Sequence, residues 1–288
     1  MVGDPERARL DPAREARQRA RFGLDRPLPV QYTRYLANVA RGDFGESFTM
    51  HRPVAAVIAD RLPNTALLAG AALLLCFSVG IAVALAQASR PGGLADAALG
   101  AVALVFASMP TFWLGLLLLF VFAQGLGWLP VGGMTEPVIH QRLGLGGRAA
   151  DVARHLVLPA LSLAMVQVAV VARFQRGALI DALASDHLRA ARAAGLPGSR
   201  LLWRALRASL APAITLAGTM TGALLAGSVL VETVFGWPGM GRLTHDAIST
   251  RDYNVLAGAA IVAGACVALA NLAADISAHA VDPRLPRA

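Results

Sequence analysis

Of 288 residues, 56% are hydrophobic and only 15% charged, against about 25% charged in an average soluble domain, so much of the chain is shielded from water. All 26 basic residues are arginines; without lysine the chain holds neither a phosphate-cradling P-loop nor a Schiff-base centre, and any nucleotide hydrolysis falls to a partner. The net charge of +8 comes from arginines spread between apolar runs, the pattern of loops flanking membrane spans rather than of a nucleic-acid-binding domain.

In chain order, residues 1–65 read as an extracytoplasmic N-terminal region. It holds eleven arginines and no apolar signal-peptide stretch. Pro12–Phe22 has the composition of a charged helix and Pro29–Ala40 that of an amphipathic one. Val54–Leu62 then leads through Pro63-Asn64-Thr65 into the first span, with Asn64 or Thr65 as the expected N-cap.

Residues 66–288 read as an all-α polytopic transmembrane domain. Five uncharged runs stand out: Ala66–Ala88, Leu99–Ala123, Leu156–Ala172, Ser209–Val231 and Asn254–Ala274. Each is close to the ~20 residues a helix needs to cross about 30 Å of hydrocarbon. Met109-Pro110 lies in the middle of the second run, where proline kinks a helix; the kink either widens a pore-side face or simply bends the packing. Leu156–Ala172 is the shortest run and has Pro159 near its start. Dense small residues such as Gly218 and Gly222 suit close helix approach in lipid.

The spans contain neutral polar groups, among them Thr111, Gln167, Thr219 and Asn271. These either pack between helices or line a path for a polar solute, lowering the cost of crossing. Cys76 and Cys266 read as small buried hydrophobes. The six histidines show no ligand spacing, so no metal site is expected.

Arginine bookkeeping gives the orientation. Residues 173–208 hold seven arginines, residues 124–155 three and residues 232–253 two. The positive-inside rule puts 173–208 in the cytoplasm. Within it Arg176–Ala194 reads as a helix that Gly195 ends in the left-handed conformation and Pro197 prevents from continuing. A second helix, Ser199–Ala208, sets Arg200, Arg204 and Arg207 on one face and Leu202 and Leu206 on another. The resulting elbow either docks in a partner's groove or anchors to anionic head groups.

The segment Asp186-His-Leu-Arg-Ala-Ala-Arg-Ala-Ala-Gly-Leu196 resembles the cytoplasmic loop of binding-protein-dependent ABC importer permeases. Arg189, Ala190, Ala191 and Gly195 stand where the broad signature has Glu-Ala-Ala and, after three further residues, Gly. Arginine in place of glutamate is similar to the peptide-importer branch. Gly23-Leu-Asp-Arg-Pro-Leu-Pro-Val-Gln-Tyr32, Gly42-Asp-Phe-Gly-Glu-Ser47, Pro63-Asn-Thr65, Ser108-Met-Pro-Thr-Phe-Trp113, Glu232-Thr-Val-Phe-Gly-Trp-Pro-Gly-Met-Gly241, Arg251-Asp-Tyr253 and Asp282-Pro-Arg284 resemble the same branch, the B-type dipeptide/oligopeptide permeases. Val2-Gly-Asp-Pro5 looks like the motif that follows the first span in that family, which implies a sixth span upstream of Met1.

The resemblance implies a type I importer transmembrane domain that moves di- or oligopeptides across the bacterial cytoplasmic membrane. It implies a second permease subunit, two cytoplasmic ATPases that bind ATP and Mg, and an external solute-binding protein; this chain catalyses nothing and binds no cofactor. Asp186, Arg189, Ala190, Ala191, Ala194, Gly195 and Leu196 become the ATPase-coupling loop. Glu232, Phe235, Trp237, Pro238, Gly239, Gly241, Arg251 and Asp252 become an extracytoplasmic loop or gate, with Glu232 either gating the exit or holding the loop that follows and Trp237 in an interfacial aromatic belt. The same architecture also suits nickel complexes, glutathione or sugars. A secondary transporter working without an ATPase is the rival class, although the spans hold no mid-membrane ionisable residue of the kind that class uses.

Overall fold

Proline placement decides where several helices begin. In the computed structural model, which describes residues 27–281, Pro27, Pro53, Pro110 and Pro197 each stand at the residue before a helix, where their fixed φ and missing N–H are tolerated. The expected helix Pro12–Phe22 and the motifs Val2–Pro5 and Asp282–Arg284 lie outside the described residues.

The short helix α1 (Leu28–Val39) buries none of its residues. α2 (Val54–Ser89) is a single helix of 36 residues, about 54 Å long at 1.5 Å per residue, so it is longer than the hydrocarbon is thick, with the charged Asp60 and Arg61 in its N-terminal part. This corrects the expected helix start at Asn64 or Thr65. Pro63 lies inside α2, and the two polar residues after it bond to other parts of the chain.

The second apolar run is broken rather than kinked. α3 (Leu94–Ala107) and α4 (Thr111–Leu118) are bent by 99° about Ser108-Met109-Pro110, and α4 continues as a π-helical turn over Leu119–Gly125. The third run, shortest by sequence, lies in the longest helix, α5 (Leu145–Ala184, 40 residues). Polar turns at both ends prolong it beyond the uncharged stretch, so the 124–155 connection is helical from Leu145 onward. α5 also ends at Ala184, where Ser185 turns the chain, so Arg176–Ala194 is not one helix. A short α6 (Asp186–Ala193) and α7 (Gly198–Ala208) follow, then α8 (Leu210–Val234), α9 (Met240–Thr250) and α10 (Tyr253–Val281).

The five apolar runs thus fall on α2, on α3 with α4, on α5, on α8 and on α10. By length and composition α2, α5 and α10 can each cross a membrane, and the bent α3–α4 pair is apolar enough to form either a broken span or a re-entrant loop. α5 is the centre of the bundle: its apolar stretch is 61% buried, against 28% for α2 and 17% for α10. α2 and α5 share the most extensive contact, and a Cβ on Gly80 of α2 would sit 2.6 Å from Val171 of α5. α8 and α10 approach as closely, since a Cβ on Gly218 would lie 2.5 Å from that of Ala274. Backbones meet through small residues because lipid gives no hydrophobic drive between helices.

Candidate functional site

The two ends of the bundle differ in construction. At one end the loop after α8 turns back through Gly236 (φ +61°), with Trp237 N donating to the Glu232 carbonyl at 2.8 Å. Glu232 itself is fully buried. Its carboxylate accepts the Thr65 hydroxyl at 2.8 Å and the Arg242 backbone N–H at 3.0 Å. Thr65 Oγ1 in turn accepts Met240 N–H at 2.7 Å. Met240 and Arg242 belong to the first turn of α9, whose leading N–H groups have no intrahelical partner. Glu232 and Thr65 therefore cap α9 from two other helices, and the carboxylate also meets the positive end of its dipole.

The geometry leaves no slack. A Cβ on Gly239 would land on the Glu232 carboxylate, and one on Gly241 would lie 2.6 Å from Val229 Cα. Asn64 Nδ2 donates to the Pro238 carbonyl at 2.8 Å, and Trp237 Nε1 donates to the Asn64 carbonyl at 3.0 Å. Trp237 is fully buried and belongs to the core formed with Leu68, Leu114, Leu163, Leu224 and Phe235. That corrects its expected place in an interfacial belt: the turn is present, but the indole faces inward because Asn64 offers its N–H a buried acceptor. Gly133 N–H donates to the Phe235 carbonyl at 2.8 Å, tying the α4–α5 connection to the same loop.

A second anchor lies beside it. Arg251 adopts the left-handed conformation (φ +56°) and aims Asp252 back at the segment before α2. Asp252 Oδ2 accepts Ser47 Oγ at 2.6 Å, Thr49 Oγ1 at 3.1 Å and Thr49 N–H at 3.2 Å. Its Oδ1 accepts Val255 N–H at 3.3 Å, in the first turn of α10. Burial pushes the Asp252 carboxyl up, but the bonds from Ser47, Thr49 and Val255 outweigh it and hold the group below its ordinary value. Asn254 Nδ2 also donates to the Glu46 carbonyl at 2.8 Å.

The opposite end is open. α6 and α7 meet at Gly195, which takes φ +81° with nothing within 4 Å of where a Cβ would stand. Leu196 N–H closes the turn on the Ala191 carbonyl at 3.1 Å, the Schellman arrangement. Asp186, Arg189, Ala190 and Ala194 are exposed, Ala191 and Leu196 partly so. Only Leu188 of α6 is buried, in a cluster with Ala84 and Ala88 of α2, Leu179 of α5, and Leu201, Ala205 and Leu206 of α7. The inward face of α7 thus runs through Leu201 and Ala205 rather than Leu202. Its outward face carries Arg204, Trp203 and Arg207, with the Arg207 guanidinium 5.1 Å from the Trp203 ring centre.

The expected path residues do not form one cluster. Thr111 starts α4, Gln167 is half-buried on α5, and Thr219 and Asn271 lie on the packed helices α8 and α10. The Thr219 hydroxyl donates to its own helix at Leu216 O, 2.9 Å, and the buried Asn271 Oδ1 accepts no hydrogen bond.

Two ionic arrangements escaped the sequence reading. Arg176 of α5 holds Asp96 of α3 in a bidentate pair at 3.0 and 2.7 Å, and Gly92 N–H donates to the same carboxylate at 2.9 Å. Asp151 gathers two histidines, with His140 Nδ1 at 2.6 Å from one oxygen and His155 Nδ1 at 3.3 Å from the other. Acid and base are 80 residues apart in the first pair, so spacing gave no signal. His155 and Asp151 are four residues apart on one helix face, which periodicity does reveal. Among the described residues no cluster of metal-ligating side chains is present.

Residues 77–287 match the family described as binding-protein-dependent transport system inner membrane components. The chain is 38% identical to the di/tripeptide transport system permease protein DppB of Pseudomonas aeruginosa, over 99% of this chain and 90% of that one. It is 36% identical to the oligopeptide transport system permease protein AppB of Bacillus subtilis, over 98% and 90%. It is 35% identical to the glutathione transport system permease protein GsiC of Salmonella typhi, over 99% and 90%. Among solved structures, an inward-facing conformation of the MetNI methionine ABC transporter shares the fold, with a TM-score of 0.63 at 18% identity, covering 78% of this chain and 96% of that one.

Proposed function

The chain belongs to the family of binding-protein-dependent transport system inner membrane components, and from that premise we propose that it is the permease subunit of an ATP-binding cassette importer for di- and oligopeptides. The observation that carries the reading is similarity to peptide permeases over nearly the whole chain, which leaves little of the sequence for another activity. Glutathione, itself a peptide derivative, is the second candidate cargo, on the strength of the permease from Salmonella typhi.

Its working complex has a second permease subunit, a pair of cytoplasmic ATPases that bind ATP and Mg, and an external solute-binding protein. The elbow is the ATPase contact: Asp186, Arg189, Ala190 and Ala194 are exposed around the turn at Gly195, while Leu188 roots it onto α2, α5 and α7. Movement of the ATPase pair then passes through one buried leucine cluster into the two longest helices, a rigid-body route between two bundle arrangements. The opposite end, held by Glu232 and Asp252, acts as a rigid outer rim, and solute crosses between the two permease subunits.

Co-purification from mild detergent tests this, comparing the tagged full-length wild type with Gly195→Asp. The expected result is that wild type brings an ATPase pair and a second permease, whereas the variant keeps the permease and loses the ATPases. Solute uptake by wild type in vesicles without ATP would overturn the proposal and favour a secondary transporter.

A further inference from the structure

Two cavities share a wall on the side of the bundle where α3 crosses α5. The first, of about 310 Å³, has a charged and polar side formed by Gln87, the Gly92-Gly93 turn, Asp96, Arg173 and Arg176, and an apolar side formed by residues such as Ala103 and Ala169. The second, of about 480 Å³, is apolar apart from Arg173, with Leu104, Ala107, Ala169, Val170 and Phe174 as its walls. Leu104, Ala169 and Arg173 belong to both. Each volume is within the ~300–1,000 Å³ of ordinary ligand sites.

The charges do not balance. Asp96 is satisfied by Arg176 and by the Gly92 N–H, whereas among the described residues Arg173 has no ion pair or hydrogen bond and its side chain is exposed. The site therefore carries one carboxylate against two guanidiniums. Position matters as much as charge. Arg173 immediately follows the uncharged stretch Leu156–Ala172, and Asp96 lies in the first turn of α3, so the polar cavity sits where the hydrocarbon ends. The apolar cavity lies on the hydrocarbon side of it, since Ala107 is eleven residues deeper along α3 than Asp96 and Val170 three residues deeper along α5 than Arg173. Leu104, Val170 and Phe174 are all exposed at this surface, at 52%, 47% and 45%.

We propose that this paired cavity is a binding site for an anionic phospholipid of the cytoplasmic leaflet. The phosphate of its head group pairs with Arg173, and one acyl chain lies in the groove of Leu104, Ala107, Val170 and Phe174. A basic pocket between spans at the cytoplasmic surface meets anionic head groups in the region where the leaflet's own charge concentrates cations. A guanidinium suits a phosphate because it offers two parallel donors. A free phosphate would use only the polar half, and a zwitterionic lipid would bring its own cation against Arg173. The site's occupancy would stiffen α3 against α5 next to the root of the elbow.

The test is photolabelling of the full chain, with the subunits that accompany it, in nanodiscs carrying a trace of phosphatidylglycerol with a photoactivatable acyl chain. Label is expected on residues 104–107 and 170–174. Arg173→Gln should lower it about fivefold, the equivalent of one arginine's attraction to an anionic surface, and Arg173→Lys should retain most of it. Leu104→Trp, which fills the groove without touching charge, should lower it as well. Excess glycerol phosphate should not compete, and the matching phosphatidylcholine probe should label no better than Arg173→Gln. Equal labelling by the two probes, or no label in these segments because another subunit covers the face, overturns the proposal. ATPase recovery on the same samples reports separately on the permease reading.

Discussion

The Glu232 end and the elbow both turn on glycine, and they use it for opposite purposes. At Gly239 and Gly241 the backbone is so close to Glu232 and Val229 that hydrogen is the only side chain that fits. At Gly195 there is open space, and the glycine serves only to reach φ +81°. One end is filled by the chain itself, with its buried polar groups paired inside. The other leaves the tip of a turn clear of its own protein, rooted by Leu188 with Ala191 and Leu196 packed beside it. Under the proposed function, the finished end corresponds to the rim and the unfinished one to the ATPase contact.

Substitutions break this contrast in graded ways. Gly241→Ala should have the largest effect. Its Cβ meets the Val229 backbone, which cannot swing aside as a side chain does, and overpacking of this sort costs about 3 kcal/mol. The variant should lose folded yield in detergent and fall well below wild type in thermal stability. Leu188→Ala comes next, because its cluster can partly collapse and so keeps the cost of a fully buried leucine near the low end, about 2 kcal/mol. Here the loss should be local: protease sensitivity should rise around residues 185–197 while the Glu232 end stays protected. A global loss of stability equal to that of Gly241→Ala would mean that the elbow is part of the main core.

Gly195→Asp should be milder still for the fold and stronger for the complex. The left-handed conformation costs a side-chain-bearing residue roughly 1 kcal/mol, and no neighbour adds to it. Gly195→Asn separates conformation from charge, since asparagine tolerates this region better. Its ATPase recovery should fall between wild type and Gly195→Asp. If both variants destabilise the isolated chain as much as Gly241→Ala, the elbow is not an unfinished surface.

The spans and the turn at Gly195 were legible because each is written locally, as a run of apolar residues or as a glycine followed two residues later by proline. The polar pairings were not. Thr65 shows why: its type is right for a helix N-cap, and it does cap a helix, but the helix is α9, 175 residues away. Pro63 looked like the break that would need such a cap, yet α2 runs through it. Trp237 was misplaced for the same reason, since its buried acceptor is the Asn64 carbonyl, 173 residues away. Sequence periodicity carries which face of a helix is apolar; it holds no record of which distant polar group completes it. Arg176 and Asp96 were hidden likewise, although an acid in the first turn of an apolar helix is a local hint that some cation faces it.

The Asp252 anchor gives the effect with the sharpest sign. Its folded carboxyl is held below the ordinary value by Ser47, Thr49 and Val255, so the ionised form is the one the fold favours. The resulting stability is fully present above the unfolded value, about 3.9, and is lost as pH falls through the folded one. Asp252→Asn keeps the shape but loses the charge, which should cost about 2 kcal/mol at neutral pH. The gap between wild type and variant in thermal unfolding should then close as the pH drops below about 4. Only the wild-type curve should move in that window on account of this site. A gap that persists at acid pH would mean that Asp252 acts through shape, with its Ser47 bond surviving protonation. The segment before α2 would then be held at this end by hydrogen bonding alone, and the rim would owe nothing to charge at that position.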